Sequence, residues 1–317
     1  MRSAVITEIG RSPVPADSPH PGTPGPGEVL VRLGAAALNP FDIDVASGAH
    51  PHGTPLTPYI PGVEGVGVVV DGPADLLGSR VRVHGAGGFG PGTLAEFIRV
   101  PWQACAPVSE GLDDITAAAL GMVSITALEV LRRTDLRAGD TVLVLGATGA
   151  VGRATIQIAR AFDAGRIIAA GRDSAALSTV GADATVDLGR DGWHTTVGGP
   201  VDVVIDSLWG AYAAPAMAHL ATGGRYMSVG SAAGATTPID AGVLRRRRGS
   251  LLGFSMTQLG LDDVRDSYRE ATALAVTGRL RLPVEVHTLA SVEHAWQAQR
   301  NPRGSKTVLT LTQSDQY

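Results

Sequence analysis

The chain has 317 residues, 44% of them hydrophobic and 18% charged, and a formal net charge of -4. That length exceeds the usual single domain and the apolar share supports a substantial core, so two domains are expected. The slight negative balance gives no general attraction to phosphate backbones, and the one basic run, Arg245 to Arg248, is too short for a nucleic-acid arm, which argues against nucleic acid as a partner. The start, MRSAVITEIGRSP, has no apolar run of signal-peptide length, and AAALGMVSITALEVL is broken by Glu129 before it could span a bilayer. A soluble cytoplasmic protein with no membrane partner is the expectation. The single cysteine, Cys105, allows no internal disulfide and no thiolate metal cluster.

Eleven of the twenty prolines fall in the first 61 residues, where a residue without an amide donor works against long helices. Between them lie strand-like runs, AVITEI, EVLVRLGAAAL, GVGVVV, RVRVHG and AEFIRV, so this part reads as an irregular, mostly β domain. Near residue 115 the pattern changes to ITAAALGMVSITALEVLRR, with apolar residues at helical spacing and arginines at its end. This helix is expected to open the second domain. From residue 140 onward, the strands TVLVLG, RIIAAG, ATVDL, VDVVID, GGRYMSVG and SLLGFS alternate with helices expected over 150–163, 173–180, 210–220 and 261–277. Short continuous apolar strands joined by amphipathic helices predict an α/β fold with a doubly wound parallel sheet covered on both faces. After about residue 280 the pattern reads strand, helix, strand and is expected to return to the first domain. The expected division is residues 1–115 with 280–317, and residues 116–279.

The stretch VLVLGATGAVGRATIQIARA places Gly146, Gly149 and Gly152 between a strand and a helix. In that context such glycines let backbone approach a pyrophosphate and let the helix pack on the strand, while the first amides of the helix, around Thr148, Ala150 and Val151, point their positive ends at the anion. An acidic residue about twenty positions on holds the ribose 2′-hydroxyl in NAD-dependent proteins, and an arginine accommodates a 2′-phosphate instead. Nineteen positions after Gly152 stands Gly171, followed by Arg172, whose guanidinium suits a phosphate. NADP(H) is the expected cofactor; the alternative is a solvated Arg172, with Asp173 capping the next helix or binding the ribose itself.

Taken together, GEVLVRLGAAALNPFDIDVASG, PYIPGVEGVGVVV, GTLAEFIRVP, AAALGMVSITALEVL, the glycine turn, GGRYMSVGSAAG, RGSLLGFSM and GSKTVLTL resemble the medium-chain dehydrogenase/reductase superfamily, in particular its zinc-free quinone oxidoreductase (zeta-crystallin-like) branch. The resemblance covers nearly the whole chain. It implies a GroES-like β-rich domain, a Rossmann cofactor domain, a cleft between them and commonly a homodimer. It places the nicotinamide near Asn39, Thr126, Val229 to Ser231 (with Gly230) and Gly253 to Ser255 (with Phe254), and Lys306 close to the cofactor. Asn39 could instead shape the turn before Pro40, Thr126 could bond back to its helix, and Lys306 could be a solvated charge.

Zinc-dependent relatives carry a cysteine after the second strand, a His-Glu pair in the PGVEG region and a four-cysteine lobe. Here PGVEG has Val63 before Glu64, and those thiolates are missing, so no metal is expected. His50 and His52 are a weak ligand pair in a proline-rich loop. Without a Lewis acid, hydride addition to a carbon conjugated with a carbonyl is favoured over simple alcohol oxidation, because charge spreads onto an enolate or quinol oxygen. An NADPH-dependent reductase of quinones or α,β-unsaturated carbonyl compounds, acting on a small molecule, is the leading expectation. Asp44 stands where many relatives carry a tyrosine, and an ionised carboxylate cannot donate a hydrogen bond. Asp44 is therefore a tuned acid or base, a ligand for a polar or cationic group, or a solvated residue, and with Asn39 and Thr126 it completes the expected catalytic set. Two other readings remain: an enone or polyketide-type reductase of secondary metabolism that uses Asp44 for proton transfer, and a non-catalytic NADPH-binding redox sensor.

Overall fold

The computed structural model describes residues 1–50, 53–86, 88–301 and 304–311. The chain divides into two units, Met1–Met122 with Gly260–Gly278 and Leu282–Tyr317, and Val123–Leu259 with Arg279–Arg281. The first is the GroES-like domain and the second the Rossmann-type domain, an α/β architecture overall.

In the first unit, a seven-stranded sheet has the order Val284–Thr288, Lys306–Thr310, Glu28–Ala37, Glu64–Asp71, Arg80–His84, Cys105–Pro107, with Phe97–Pro101 also paired to Glu28–Ala37. The ten-residue strand Glu28–Ala37 is the hub. Its first half pairs with Phe97–Pro101, its last three residues with Lys306–Thr310, and nearly its whole length with Glu64–Asp71. A strand with partners on both edges has its backbone groups satisfied, and its alternating apolar side chains, Val29, Val31 and Leu33, join Leu94, Ile98, Trp296 and Leu309 in one core. The strands Val284–Thr288 and Lys306–Thr310 are parallel and are joined through the helix Val292–Arg300, as a parallel pair requires. The C-terminal segment thus packs in this unit.

In the second unit, six parallel strands have the spatial order Ala184–Asp187, Arg166–Gly171, Thr141–Leu145, Val201–Asp206, Leu220–Ser228, Ser250–Gly253. Numbered along the chain this is 3-2-1-4-5-6, the dinucleotide-binding order, in which the direction of winding reverses beside the first strand. The helix expected over 150–163 spans Ala150–Ala161, while those over 173–180 and 210–220 shorten to Ser174–Leu177 and to a 3-10 turn followed by Ala213–Met217. A further helix, Ala241–Arg247, is capped by Asp240 and gathers Arg245, Arg246 and Arg247 in its last turn, where positive charge suits the helix dipole.

Three expectations are corrected. The helix expected to open the second domain, Asp114–Arg133, straddles both units, so the boundary lies at 122/123 and not at 115/116. It is long and apolar enough to cross a membrane, but 78% of its apolar window is buried inside the protein, as in a core helix. The helix Leu261–Val276, expected in the second domain, packs in the first. Its Tyr268 hydroxyl donates to the Ala117 carbonyl, and Thr272 shares a hydrogen bond with Ser109. Finally, the proline-rich segment holds a short helix, Pro40–Ser47. Pro40 occupies the first helical position, where a missing amide costs nothing, and the Asp42 carboxylate reaches back to the Asn39 amide.

Candidate functional site

The glycine turn lies at the carboxyl end of the first strand of the parallel sheet, beside the reversal point. Gly146 has φ +82°, a conformation that favours glycine, and its amide and that of Ala147 both donate to the Ala170 carbonyl of the neighbouring strand. Gly149 is the N-cap of Ala150–Ala161 and brings no side chain to cap it, so the first amides of that helix, Ala150 to Gly152, have no capping acceptor. A Cβ on Gly152 would collide with the Gly146 carbonyl oxygen and lie 2.7 Å from the Ala147 Cα. The helix therefore rests directly on the turn, and its amide end is set at the strand terminus.

The other cofactor-binding residues expected from the sequence end neighbouring strands on the same edge. Gly171 is buried at the end of Arg166–Gly171 against Thr148, and Arg172 beside it is exposed. Asp173 accepts from the Ala176 amide and so caps the following helix, the alternative role foreseen for it. Val229, Gly230 and Ser231 follow Leu220–Ser228, and the Val229 and Gly230 amides donate to the Asp206 carbonyl. Gly253, Phe254 and Ser255 follow the edge strand and, with Arg133, Gln258 and Leu259, line a pocket of about 400 Å³. Thr126 is buried beyond the helix kink.

Sequence reasoning missed Asp206. Fully buried at the end of its strand, its carboxylate accepts from the Leu208 and Trp209 amides and from the Tyr226 hydroxyl at 2.5 Å. Burial raises its pKa, and these hydrogen bonds oppose the rise. It fixes the turn on which Gly230 rests; the legible signal was an acidic residue ending the apolar run VDVVID.

In the first unit, strand register gathers a buried polar cluster. Ala37 pairs with both Val308 and Glu64, and Glu64 pairs with His84, so Asn39, Lys306, Glu64, Arg82 and His84 converge. Lys306 donates to Asn39 Oδ1 at 2.5 Å and lies 3.2 Å from Glu64 Oε1, while Asn39 Nδ2 donates to Glu64 Oε1 at 2.9 Å. Glu64 Oε2 accepts from Arg82 Nη2 at 3.0 Å and from the Met122 amide at 2.6 Å. That last bond falls where the long helix breaks: Gly121 has φ -31° and ψ -110°, and a Cβ there would overlap Glu64 Oε2. The carboxylate enters the helix and caps its second half.

Burial opposes ionisation of Glu64, but Lys306, Arg82 and the hydrogen bonds hold its pKa below the ordinary carboxylate value. Burial lowers the pKa of Lys306 against the pull of Glu64. Asn39 has its amide group and its carbonyl oxygen engaged within the cluster, so it holds Glu64 and Lys306 in place. Lys306 is 3% exposed, which removes the solvated-charge alternative. Arg82 and Glu64, an ion pair that composition alone does not pair, were missed as site neighbours. His84, facing Glu64 across the sheet, has its Nδ1 buried without a partner among the described residues.

Asp44 is not in this cluster. It is exposed on the helix Pro40–Ser47; partial burial raises its pKa and the nearby His50 lowers it. His50 packs edge-on to Phe41, and His52 lies outside the described residues.

Burial pushes the Asp42 carboxyl up to about 7, with the Asn39 amide and Lys306 opposing. Its Oδ1 and the Tyr59 hydroxyl are buried without partners among the described residues. Because the unfolded value is 3.8, the folded state keeps a proton that the unfolded chain loses, so this stabilisation is full below pH 3.8 and is lost as pH rises through about 7. His84 acts with the opposite sign: burial pushes it down to about 4 from 6.5, so its contribution is present above pH 6.5 and fades as pH falls through 4. Asp42→Asn removes the first effect, and its melting temperature should climb relative to the wild type as pH rises from about 5 to 8. A constant difference across that range would show that Asp42 does not titrate in the folded protein.

Residues 25–110 match the family described as alcohol dehydrogenase GroES-like domain, and residues 150–277 match zinc-binding dehydrogenase. A zinc-type alcohol dehydrogenase-like protein of Schizosaccharomyces pombe is 30% identical over 87% of this chain and 82% of its own length. Phthioceranic/hydroxyphthioceranic acid synthase of Mycobacterium tuberculosis is 31% identical over 84% of this chain, which spans 13% of that much longer protein. Among solved structures, the quinone oxidoreductase of Thermus thermophilus, known also in complex with NADPH, is 31% identical with a TM-score of 0.81, covering 98% of this chain and 100% of the other. An NAD-dependent alcohol dehydrogenase is 28% identical with a TM-score of 0.88 over 98% and 100%. With the strand order, the glycine turn and the polar cluster, these matches define the protein as an oxidoreductase of the medium-chain dehydrogenase/reductase superfamily, belonging to its quinone oxidoreductase branch.

Proposed function

We propose that the chain is an NADPH-dependent reductase that transfers hydride to quinones or α,β-unsaturated carbonyl compounds and needs no metal. The observation that carries this reading is the turn from Gly146 to Gly152, which presents the uncapped amides of a helix at the reversal point of a 3-2-1-4-5-6 sheet. These amides suit the diphosphate, and Arg172, exposed beside a Gly171 that carries no carboxylate, suits a 2′-phosphate. When bound, the nicotinamide supplies a hydride from its C4. The segments Val229–Ser231 and Gly253–Ser255, on adjacent strand ends, suit the carboxamide end of the same cofactor.

Metal independence is supported by the chemistry of the donor set. The only cysteine is Cys105, and Glu64, the acidic residue of PGVEG, is bound to Arg82, Lys306, Asn39 and the Met122 amide. The acidic residue of the motif that holds a His-Glu pair in zinc-dependent relatives is thus already neutralised by cations. An acceptor that delocalises its developing charge asks least of such a site, and the orientation of the reacting carbons then supplies most of the acceleration, up to about 7 to 11 kcal/mol.

The test is NADPH oxidation against a panel of quinones and enones, with and without chelator and with NADH in parallel. Chelator-insensitive consumption is expected. Arg172→Ala should raise the KM for NADPH about 10-fold or more and leave that for NADH nearly unchanged, since a guanidinium contact to phosphate is a strong charged hydrogen bond. Equal effects on the two cofactors would refute the 2′-phosphate assignment. NADPH binding with no acceptor consumed would favour the redox sensor.

The likeness to a mycocerosic acid synthase-like polyketide synthase of Mycobacterium tuberculosis supports enones among the acceptors, with Asp44 as the proton-transfer group. Asp44→Asn should then lower kcat on enones about 100-fold with NADPH affinity intact. An unaltered kcat would retire that role.

A further inference from the structure

Arg153, the fourth residue of the helix Ala150–Ala161, is half-buried beside the glycine turn. Its Nε donates to the Thr148 carbonyl at 3.1 Å, and its Nη1 and Nη2 lie 3.3 and 3.4 Å from the Thr179 hydroxyl oxygen. That hydroxyl gives its own proton to the Ala176 carbonyl at 2.7 Å, so its lone pairs are left for the guanidinium. The arginine is thus held between the glycine turn and the segment that follows the strand Arg166–Gly171, with one N–H on each terminal nitrogen still available. Thr148 also lies against the end of that strand, since a Cβ on Gly171 would stand 3.3 Å from Thr148 Cγ2. Arg153 and Arg172 therefore flank Gly171 from two elements, and neither has a carboxylate partner among the described residues. The carboxylates at this edge are engaged elsewhere: Asp173 accepts from the Ala176 amide, and Asp187, paired with Gly171 in the sheet, accepts from the Gly189 amide and pairs with Arg190 at 3.3 Å.

We propose that Arg153 and Arg172 together form a two-guanidinium seat for the 2′-phosphate of the cofactor, with Arg153 as its fixed member and a specificity-determining residue. The assignment rests on the NADPH-dependent reading, in which the adenosine ribose lies at the end of the second strand, at Gly171. A phosphate dianion has more oxygens and charge than one guanidinium satisfies, and two planar forks approaching from different elements suit it. Arg153 is held in place by Thr148 and Thr179 before any ligand arrives, so it loses little freedom on binding; Arg172, exposed beside it in sequence to Gly171, supplies the second contact. Cofactor choice is thus decided in part by a residue of the glycine-turn helix and not by the end of the second strand alone.

The experiment is calorimetric titration of the full chain with adenosine 2′,5′-bisphosphate and adenosine 5′-monophosphate, which differ only in the 2′-phosphate, and with NADH. The bisphosphate is expected to bind about 100-fold tighter than the monophosphate. Arg153→Met should weaken the bisphosphate about 10-fold while the monophosphate and NADH change less than about 2-fold, and the double variant with Arg172→Met should bind the two adenosine nucleotides alike. Arg153→Lys, which keeps the charge without the forked geometry, should fall between and gives the same comparison should the methionine variant misfold. A preference for the bisphosphate that survives Arg153→Met intact overturns the proposal and leaves the NADPH reading standing on Arg172. Equal losses for both nucleotides place Arg153 at the 5′-phosphate or in the fold of the turn, and overturn it as well. A wild-type protein that binds the two nucleotides alike removes the NADPH reading and this proposal together.

Discussion

Replacing Glu64 with glutamine is expected to destabilise the first unit by about 3–5 kcal/mol, among the larger effects of any single substitution in this chain. The side chain keeps its shape, so no cavity opens. What disappears is the negative charge between Arg82 and Lys306, both at most 3% exposed, along with the strongest acceptor for the Met122 amide at the helix break. Lys306 can escape by releasing its proton, in the direction that burial already drives it. Arg82 cannot, because a guanidinium stays protonated in proteins, and its Nε and Nη1 are already without partners among the described residues. Lys306→Met in the Glu64→Gln background should therefore recover only part of the loss. Urea denaturation followed through both units checks this, and a Glu64→Gln protein as stable as wild type would mean the three charges are not held together as described.

Gly152→Ala is expected to weaken NADPH binding by about 100-fold, the scale set by an ångström of misplacement at a reacting site. The added methyl would meet backbone and no movable side chain: it would collide with the Gly146 oxygen and stand 2.7 Å from the Ala147 Cα. The helix Ala150–Ala161 must withdraw from its strand, carrying its first amides away from the anion position. The same overpacking should destabilise the second unit by about 1–3 kcal/mol. Gly149→Ala is the internal control. Its φ of -73° suits alanine and its nearest contact, the Gly146 oxygen, would be at 3.4 Å, so stability should hold while any loss of affinity reports the approach of the cofactor itself. Equal melting temperatures for Gly152→Ala and wild type would show that the helix does not rest on the turn.

The sequence by itself determined the parallel sheet, the glycine turn and the return of the last strand, because each is written in local terms. Continuous apolar runs such as VLVL and VDVVID, glycines three apart, and a strand-helix-strand pattern depend on residues close in the chain. Helix limits were less legible: Ser174–Leu177 and Ala213–Met217 are shorter than their patterns suggest, and Pro40–Ser47 was hidden by proline content although Pro40 and Asp42 carried its start signal. Only the tertiary structure decided where the two units divide, because the break at Gly121 is made by a carboxylate from a strand more than fifty residues earlier in the chain. It alone brought Asn39, Glu64, Arg82 and Lys306 together, since cross-strand register, and no spacing along the chain, sets which buried charges meet. It alone also separated Asp42, buried with its carboxyl near neutrality, from Asp44, exposed two residues away: successive positions on a helix turn by about 100°, so one faces the core and the other the solvent.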